Sequence, residues 1–211
     1  MRPKVRDGGA VSQAEPSVYD YTGDEQRIVL VRHAATSWSR SGRHTGRTDI
    51  PLDEDGVRDA KALETRLAGL HPSRVLVSPL LRAVATCELA GLSAQAEVDP
   101  TLMEWDYGDY EGLTTPEIRL EQPGWNVFVD GCPGGEDAAA VGRRADDVLA
   151  RVLEGFVSPI VIFGHAHSLR VLVARWLGLD ATAGRHFSLG ACSVSLLGYE
   201  REDRVVSRWN T

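Results

Sequence analysis

The sequence predicts an α/β fold, a three-layer α/β/α sandwich around a mostly parallel central sheet. Three observations lead there. Short apolar runs rich in β-branched residues alternate with segments whose apolar positions recur at helical spacing. Two of the runs stop abruptly at a histidine, in Val31-Arg32-His33 and Phe163-Gly164-His165. The 211 residues are 43% hydrophobic and 25% charged, enough apolar material for a sizeable core.

Residues 1–26 are polar, contain Gly, Ser and Pro, and lack apolar periodicity, so a mobile tail is expected ahead of one domain, 27–211. Arg27 to Arg32 reads as a buried strand, and a Gly- and Thr-containing loop follows from Ala34 to Pro51. Asp53-Glu54-Asp55-Gly56 opens a helix with acidic residues at its positive end, carried by Val57, Ala60, Leu63, Leu67 and Leu70. Arg74 to Val77 is the next strand and Leu80 to Ala90 the next helix. A long helix is expected from Glu136 to Phe156, a strand from Pro159 to Phe163, and a helix from Ser168 to Leu177. Ser193 to Tyr199 and Arg204 to Trp209 read as an edge hairpin.

Composition narrows the function. A net charge of -7 argues against a dedicated nucleic-acid binder, although one pocket can be basic within an acidic protein. No apolar run approaches the ~18 residues of a membrane helix, and the N-terminus lacks the apolar stretch of a secretory signal. Cys87, Cys132 and Cys192 are scattered and include no CxxC pair, which points to a reducing, cytoplasmic setting. No feature sets the oligomeric state, and a homodimer is compatible with the sequence.

In open α/β sheets, ligands bind outside the carboxyl ends of the strands. Three predicted strand ends deliver Arg32 and His33, then Ser78-Pro79 with Arg82 one turn onward, then His165. Convergence of these groups on one crevice would make an anion site.

The motifs are recognisable at this point. Leu30-Val31-Arg32-His33-Ala34-Ala35-Thr36 resembles the Arg-His-Gly-x-Thr signature of the histidine phosphatase superfamily, the phosphoglycerate mutase-like family. Ser78-Pro79-Leu80-Leu81-Arg82, Glu104-Trp105-Asp106-Tyr107-Gly108-Asp109-Tyr110-Glu111-Gly112, Cys132-Pro133-Gly134-Gly135-Glu136 and His165-Ala166-His167-Ser168-Leu169-Arg170 match in the expected order. Within the superfamily, Gly42-Arg43-His44-Thr45-Gly46 looks like actinobacterial acid phosphatases once called phosphoglycerate mutases and like fungal sedoheptulose bisphosphatases.

The resemblance implies a phosphoryl-transfer enzyme without cofactor or metal, acting on a small phosphorylated molecule. His33 would be the nucleophile, kept neutral by neighbouring guanidinium charge. Arg32 and Arg82 present planar forks matched to phosphate oxygens, with His165 as a further donor. Glu104 is the expected proton donor, since a carboxyl beside a phosphate dianion is pushed toward its neutral form. The plainer reading of Glu104 is that it pairs with Arg32 or Arg82 and orients it. Glu111 is a lesser alternative acid, more in keeping with a structural role. Ser39, Thr45, the backbone of Gly46, Tyr107 and Ala166 stand where relatives bind phosphate or substrate. Arg43, His44 and Arg47 either read a second phosphate or sugar hydroxyls, or are solvated loop charges. His167 follows His165 by two, but lacks the partner ligands that a metal site needs.

Two departures stand out. Ala34 and Ala166 replace the glycines that usually follow the two histidines. Alanine costs ~1 kcal/mol where φ is positive and little elsewhere, and a methyl group there would narrow a phosphate mouth. Asp137 also stands where relatives often carry serine. The favoured activity is a phosphatase. The alternatives are a phosphoglycerate mutase-type transfer and a weakly active phospho-ligand-binding protein. The stretch from Glu104 to His165 is too short for the insertion that usually closes the mutase site, which favours hydrolysis.

Overall fold

The computed structural model describes residues 27–155 and 157–211, so the expected tail over 1–26 lies outside the described residues. One sheet is built from β1 (Ile28–Arg32), β2 (Arg74–Val77), β3 (Ala96–Val98), β4 (Ile160–Gly164), β5 (Val194–Glu200) and β6 (Asp203–Arg208). Its spatial order is β3-β2-β4-β1-β5-β6. The first four strands in that order run parallel, and β5 and β6 add the antiparallel edge hairpin that their sequence suggested.

The helices are α1 (Ser37–Ser41), α2 (Glu54–Arg66), α3 (Leu81–Leu89), α4 (Thr115–Glu121), α5 (Val127–Asp130), α6 (Ala138–Leu153) and α7 (Ala166–Trp176). Strands β1 and β4 are covered on both faces, so they read as continuous apolar runs. Their side chains still alternate. Ile28, Leu30, Ile160 and Ile162 pack with Val141 and Val148 of α6 and Leu169 and Leu172 of α7. Val29, Val31, Val161 and Phe163 pack on the other face with Ala60 and Leu63 of α2 and Ala83 and Cys87 of α3. Burying each such side chain stabilises by about 1.5–3 kcal/mol, and the two cores enclose the sheet as the expected three layers.

Helix starts follow local chemistry. Asp53 caps α2 by accepting from the Gly56 N–H, with Glu54 and Asp55 in the first turn. Asp137 caps α6 by accepting from the Ala140 N–H, so aspartate does there what serine would do. Helix α6 is shorter than the expected Glu136–Phe156, and Phe156 lies outside the described residues. Helix α7 begins at Ala166 rather than Ser168, with His165 as its cap residue. That earlier start places the second histidine at the junction of strand and helix.

The turn after His33 is clamped by α2. The Ala35 carbonyl accepts from the Asp53 N–H at 3.0 Å. A Cβ on Gly56 would fall 2.1 Å from the same oxygen. Gly56→Ala is therefore expected to destabilise by about 1–3 kcal/mol in urea unfolding, because backbone must move to admit the methyl group. A change below about 0.5 kcal/mol would show that this close approach is not needed.

Candidate active site

The expected convergence is present. Arg32 pairs with Gly164 across β1 and β4, and the His33 N–H donates to the Gly164 carbonyl at 2.9 Å. This sets the rings of His33 and His165 side by side, with centroids 5.1 Å apart. Arg82 enters from the first turn of α3, just beyond β2. Arg32, His33, Ser39, Thr45, Glu104, Tyr107 and Ala166 all line one cleft of about 260 Å³. Arg82 and His165 are fully buried at 0% exposure.

His33 is held in one tautomer. Its Nδ1 lies 2.7 Å from the Ala34 carbonyl oxygen, which can only accept, so Nδ1 carries the proton. Nε2 is left with its lone pair. Burial lowers the His33 pKa well below the usual histidine range, and Arg32 and Arg82 push it further; the Ala34 bond opposes them. The imidazole is thus neutral at neutral pH. His165 is also driven well below the histidine range, first by burial and then by Arg82, His33 and Arg32. Its Nε2 lies 2.7 Å from Ser78 Oγ. A hydroxyl donating to Nε2 leaves Nδ1–H as the donor.

That Nδ1 has no partner. Among the described residues, the buried side-chain N and O atoms lacking a hydrogen bond are Arg32 Nε, Arg82 Nε, His165 Nδ1 and Ser168 Oγ. Orphaned buried donors are costly. Three of these atoms belong to cationic or imidazole groups around His33. Other nitrogens of the two guanidinium groups are anchored. Arg32 Nη1 donates to the Leu189 carbonyl at 2.5 Å, and Arg82 donates to the carbonyls of Thr45, Gly46 and Thr48 at 2.9, 3.1 and 3.2 Å.

Glu104 is 3% exposed and lies at the start of α7. Oε1 accepts from the Ser168 and Trp105 N–H groups at 2.8 and 2.9 Å, and Oε2 accepts from the His167 N–H at 3.0 Å. The carboxylate therefore caps α7, and it makes no ion pair with Arg32 or Arg82. The plainer expectation for Glu104 does not describe its geometry. Oε2, with a single donor, retains room for a proton.

The loop from Gly42 to Thr48 is pinned by Glu111, whose carboxylate accepts from Gly46 N–H at 2.8 Å and Thr48 N–H at 3.1 Å. The Gly46 N–H, expected to face substrate, thus has a protein partner. A side chain at Gly46 would meet the Trp105 carbonyl at 2.5 Å, so glycine serves close packing there. Ser39 completes a capping box with Thr36 at the start of α1, and the Thr45 hydroxyl donates to the Arg43 carbonyl. Arg47 turns to Asp106 at 3.2 Å, away from the cleft lining. His44 is buried, with its pKa lowered by burial to about 4 against the pull of Glu111. Tyr107, whose phenol is raised well above its usual range by burial and then by Glu104, stays protonated and shares a hydrogen bond with His167 Nδ1 at 2.5 Å.

The two alanines fit. Among the described residues, Cys192, Arg201 and Asn210 are the non-glycine positions with positive φ, so neither Ala34 nor Ala166 carries that strain. The Ala34 methyl packs in the core with Val31, Ala60 and Ala83, whereas Ala166 lines the cleft.

Ser78, Thr86 and Arg144 are positioning residues that no role was assigned from sequence. Thr86 accepts from the Ala34 N–H at 3.0 Å and donates to the Arg82 carbonyl at 2.7 Å, which ties α3 to the turn after His33. Arg144 donates to the carbonyls of Thr101 and Met103 at 2.7 and 3.0 Å and pairs with Glu136 at 2.8 Å, fixing the segment that carries Glu104. The sequence carries no signal that separates Arg144 from Arg143 beside it or from Arg151 on the same amphipathic helix. Among the described residues no group of three or more His, Cys, Asp or Glu is arranged to hold a metal ion, and no helix is long and apolar enough to cross a membrane.

A mostly parallel sheet of this order, with histidines at the ends of two adjacent strands, defines the phosphoglycerate mutase-like class of α/β proteins. The chain belongs to the histidine phosphatase superfamily (branch 1), whose family model matches residues 28–211. It is 43% identical over 185 residues to an acid phosphatase of Mycobacterium tuberculosis, covering 86% of this chain and 90% of the relative. It is 36% identical to the sedoheptulose 1,7-bisphosphatase of Saccharomyces cerevisiae, covering 72% and 68%. A solved M. tuberculosis structure superposes with a TM-score of 0.84 at 38% identity, covering 88% of this chain and 97% of that one.

Two outcomes follow from the site's hydrogen bonds and charges. Ser78→Ala frees the tautomer of His165 and is expected to weaken inorganic phosphate binding about five- to tenfold in calorimetric titration. An unchanged Kd would mean that Ser78 does not set the His165 donor. His33, His44, His165 and His167 all stay neutral in the folded chain, while unfolded histidines protonate near pH ~6.5. The unfolded chain then binds more protons on acidification, so stability present above pH ~6.5 is lost as pH falls toward about 4. The melting temperature is expected to drop between pH ~7 and pH ~5, and a flat profile would contradict the buried neutral histidines.

Proposed function

We propose that the chain is a metal-independent phosphatase that hydrolyses a small phosphorylated metabolite, a sugar phosphate or related phosphomonoester, through a phosphohistidine on His33. The observation that carries this reading is the single tautomer of His33, with Nε2 free beside the unpartnered donors of Arg32, Arg82 and His165. The named activities of the acid phosphatase and bisphosphatase relatives support the same chemistry.

The Nε2 lone pair of His33 attacks phosphorus as the ester P–O bond breaks, and the leaving oxygen takes a proton from Glu104. Charge spread over the equatorial oxygens is met by Arg32, Arg82 and His165, already in place and desolvated. Water then attacks phosphorus, the N–P bond breaks, and the water proton passes to the Glu104 carboxylate. Inorganic phosphate leaves, and both side chains return to their starting forms. Ser39, Thr45, Tyr107 and Ala166 shape the wall against which the alcohol portion rests. The Cys87 and Cys132 thiols are pushed up to about 12 and Cys192 to about 11 by burial, so none competes as nucleophile.

Phosphate release from a panel of sugar phosphates, phosphoglycerates and an aryl phosphate tests the proposal. Release is expected to survive chelator and to be lost in His33→Ala. Activity restored only by divalent metal would overturn the metal-free reading. Interconversion of phosphoglycerates without phosphate release would replace hydrolysis with mutase chemistry.

A further inference from the structure

Ala34, fully buried beside His33, has every one of its groups engaged. Its N–H donates to Thr86 Oγ1 at 3.0 Å, and its carbonyl oxygen lies 2.7 Å from His33 Nδ1. Its methyl group belongs to the core between the sheet, α2 and α3, with Ala60, Leu63, Ala83 and Cys87. The peptide joining His33 to Ala34 is also held on its other side, because the His33 carbonyl accepts from the Cys192 N–H at 3.1 Å. No backbone torsion here can turn without breaking a bond or leaving the core.

Thr86 is built to hold that N–H. It is fully buried on α3, and its single hydroxyl proton goes to the Arg82 carbonyl one turn earlier, at 2.7 Å. Toward Ala34 the oxygen therefore only accepts. Bonding back to the carbonyl four residues before is ordinary for a helical threonine. The second bond, to a residue 52 positions away, is not local and joins the turn after His33 to the helix that carries Arg82. A neutral imidazole can hold its proton on either nitrogen. Were the Ala34 carbonyl to turn away, Nε2 of His33 would be protonated part of the time and unable to attack.

We propose that Ala34 and Thr86 together are the positioning residues that select the tautomer of His33. Thr86 holds the N–H, the core holds the methyl group, and the Ala34 carbonyl is thereby kept on Nδ1. Alanine, standing where the family motif usually has glycine, stiffens the turn: glycine would keep both hydrogen bonds possible but release the methyl anchor and widen the backbone's freedom. The catalytic consequence rests on the phosphatase reading, whereas the tautomer itself does not.

The test uses Thr86→Val, which has the same shape without the hydroxyl, Thr86→Ser, which keeps it, and Ala34→Gly. Nitrogen NMR of the protein labelled with [15N]histidine reads the tautomer, with His33 assigned by comparison with His33→Ala. Wild type is expected to show His33 protonated on Nδ1 alone, and Thr86→Val and Ala34→Gly to show a mixture. With an aryl phosphate, Thr86→Val should lower kcat about tenfold or more and change KM less, and Thr86→Ser should recover most of the loss. Ala34→Gly should lower kcat by a smaller factor. Lower melting temperatures with wild-type His33 shifts and wild-type kcat in both Thr86→Val and Ala34→Gly would reduce the pair to a structural role and overturn the inference. So would a wild-type His33 protonated on Nε2. Should Thr86→Val fail to fold, Ala34→Gly, which removes no hydrogen-bonding group, decides by the same two readouts. Absence of phosphate release from every ester by wild type sinks the phosphatase reading instead, and the nitrogen shifts then still decide whether Ala34 and Thr86 select the tautomer.

Discussion

The placement of β4 between β1 and β2 is the constraint on which the site depends. Both neighbours are tied to its carboxyl end, through His33 N–H to the Gly164 carbonyl and Ser78 N–H to the Phe163 carbonyl at 3.0 Å. One strand end therefore fixes the two groups that flank it, and the next residue, His165, turns directly into α7. A shift of register by one residue would send Ile160 and Ile162 to the opposite core and carry His165 away from His33. The apolar burial that sets the register thus also sets the spacing of the histidines.

Around that strand end the fold tolerates charge that burial alone would expel. Desolvating a guanidinium costs several kcal/mol, and Arg82 has no exposure at all. Its bonds to the Thr45, Gly46 and Thr48 carbonyls, at roughly 1.5–3 kcal/mol each, offset much of that cost. They also tie the loop beside the cleft to α3. Glu104 joins two roles in the same way, capping α7 while lining the cleft. Donors that remain unspent, on Arg32, Arg82 and His165, are those an anion would take up.

The strand-and-histidine pattern was legible because β1 and β4 are buried on both faces and end where the apolar run ends. The acidic start of α2 and the edge hairpin were legible as well, whereas the Asp137 cap of α6 was not, since the expected helix began one residue earlier at Glu136. The strand order was not legible, since nothing local in Arg74–Val77 or Ile160–Gly164 records which strand will be its neighbour. Strand β3 escaped for a different reason: it has only three residues, Ala-Glu-Val, on the sheet edge, with Val98 59% exposed. The partners of Gly46 and Glu104 were hidden too. A glycine amide bound to Glu111, and a glutamate bound to a helix amide 63 residues onward, are long-range bonds with no periodic signature. Family motifs marked these residues as belonging to the site, while their hydrogen bonds had to be seen in three dimensions.

The central claim is that the fold holds His33 in one tautomer, with Nδ1–H bound to the Ala34 carbonyl and Nε2 free to attack. Its most direct test is the identity of the phosphorylated nitrogen after rapid quenching with a slowly hydrolysed ester. Mass spectrometry locates the residue, and phosphorus NMR of the quenched protein distinguishes the two ring positions. The account predicts an acid-labile phosphoryl group on Nε2 of His33. Phosphorylation at Nδ1, or at any other residue, would contradict it.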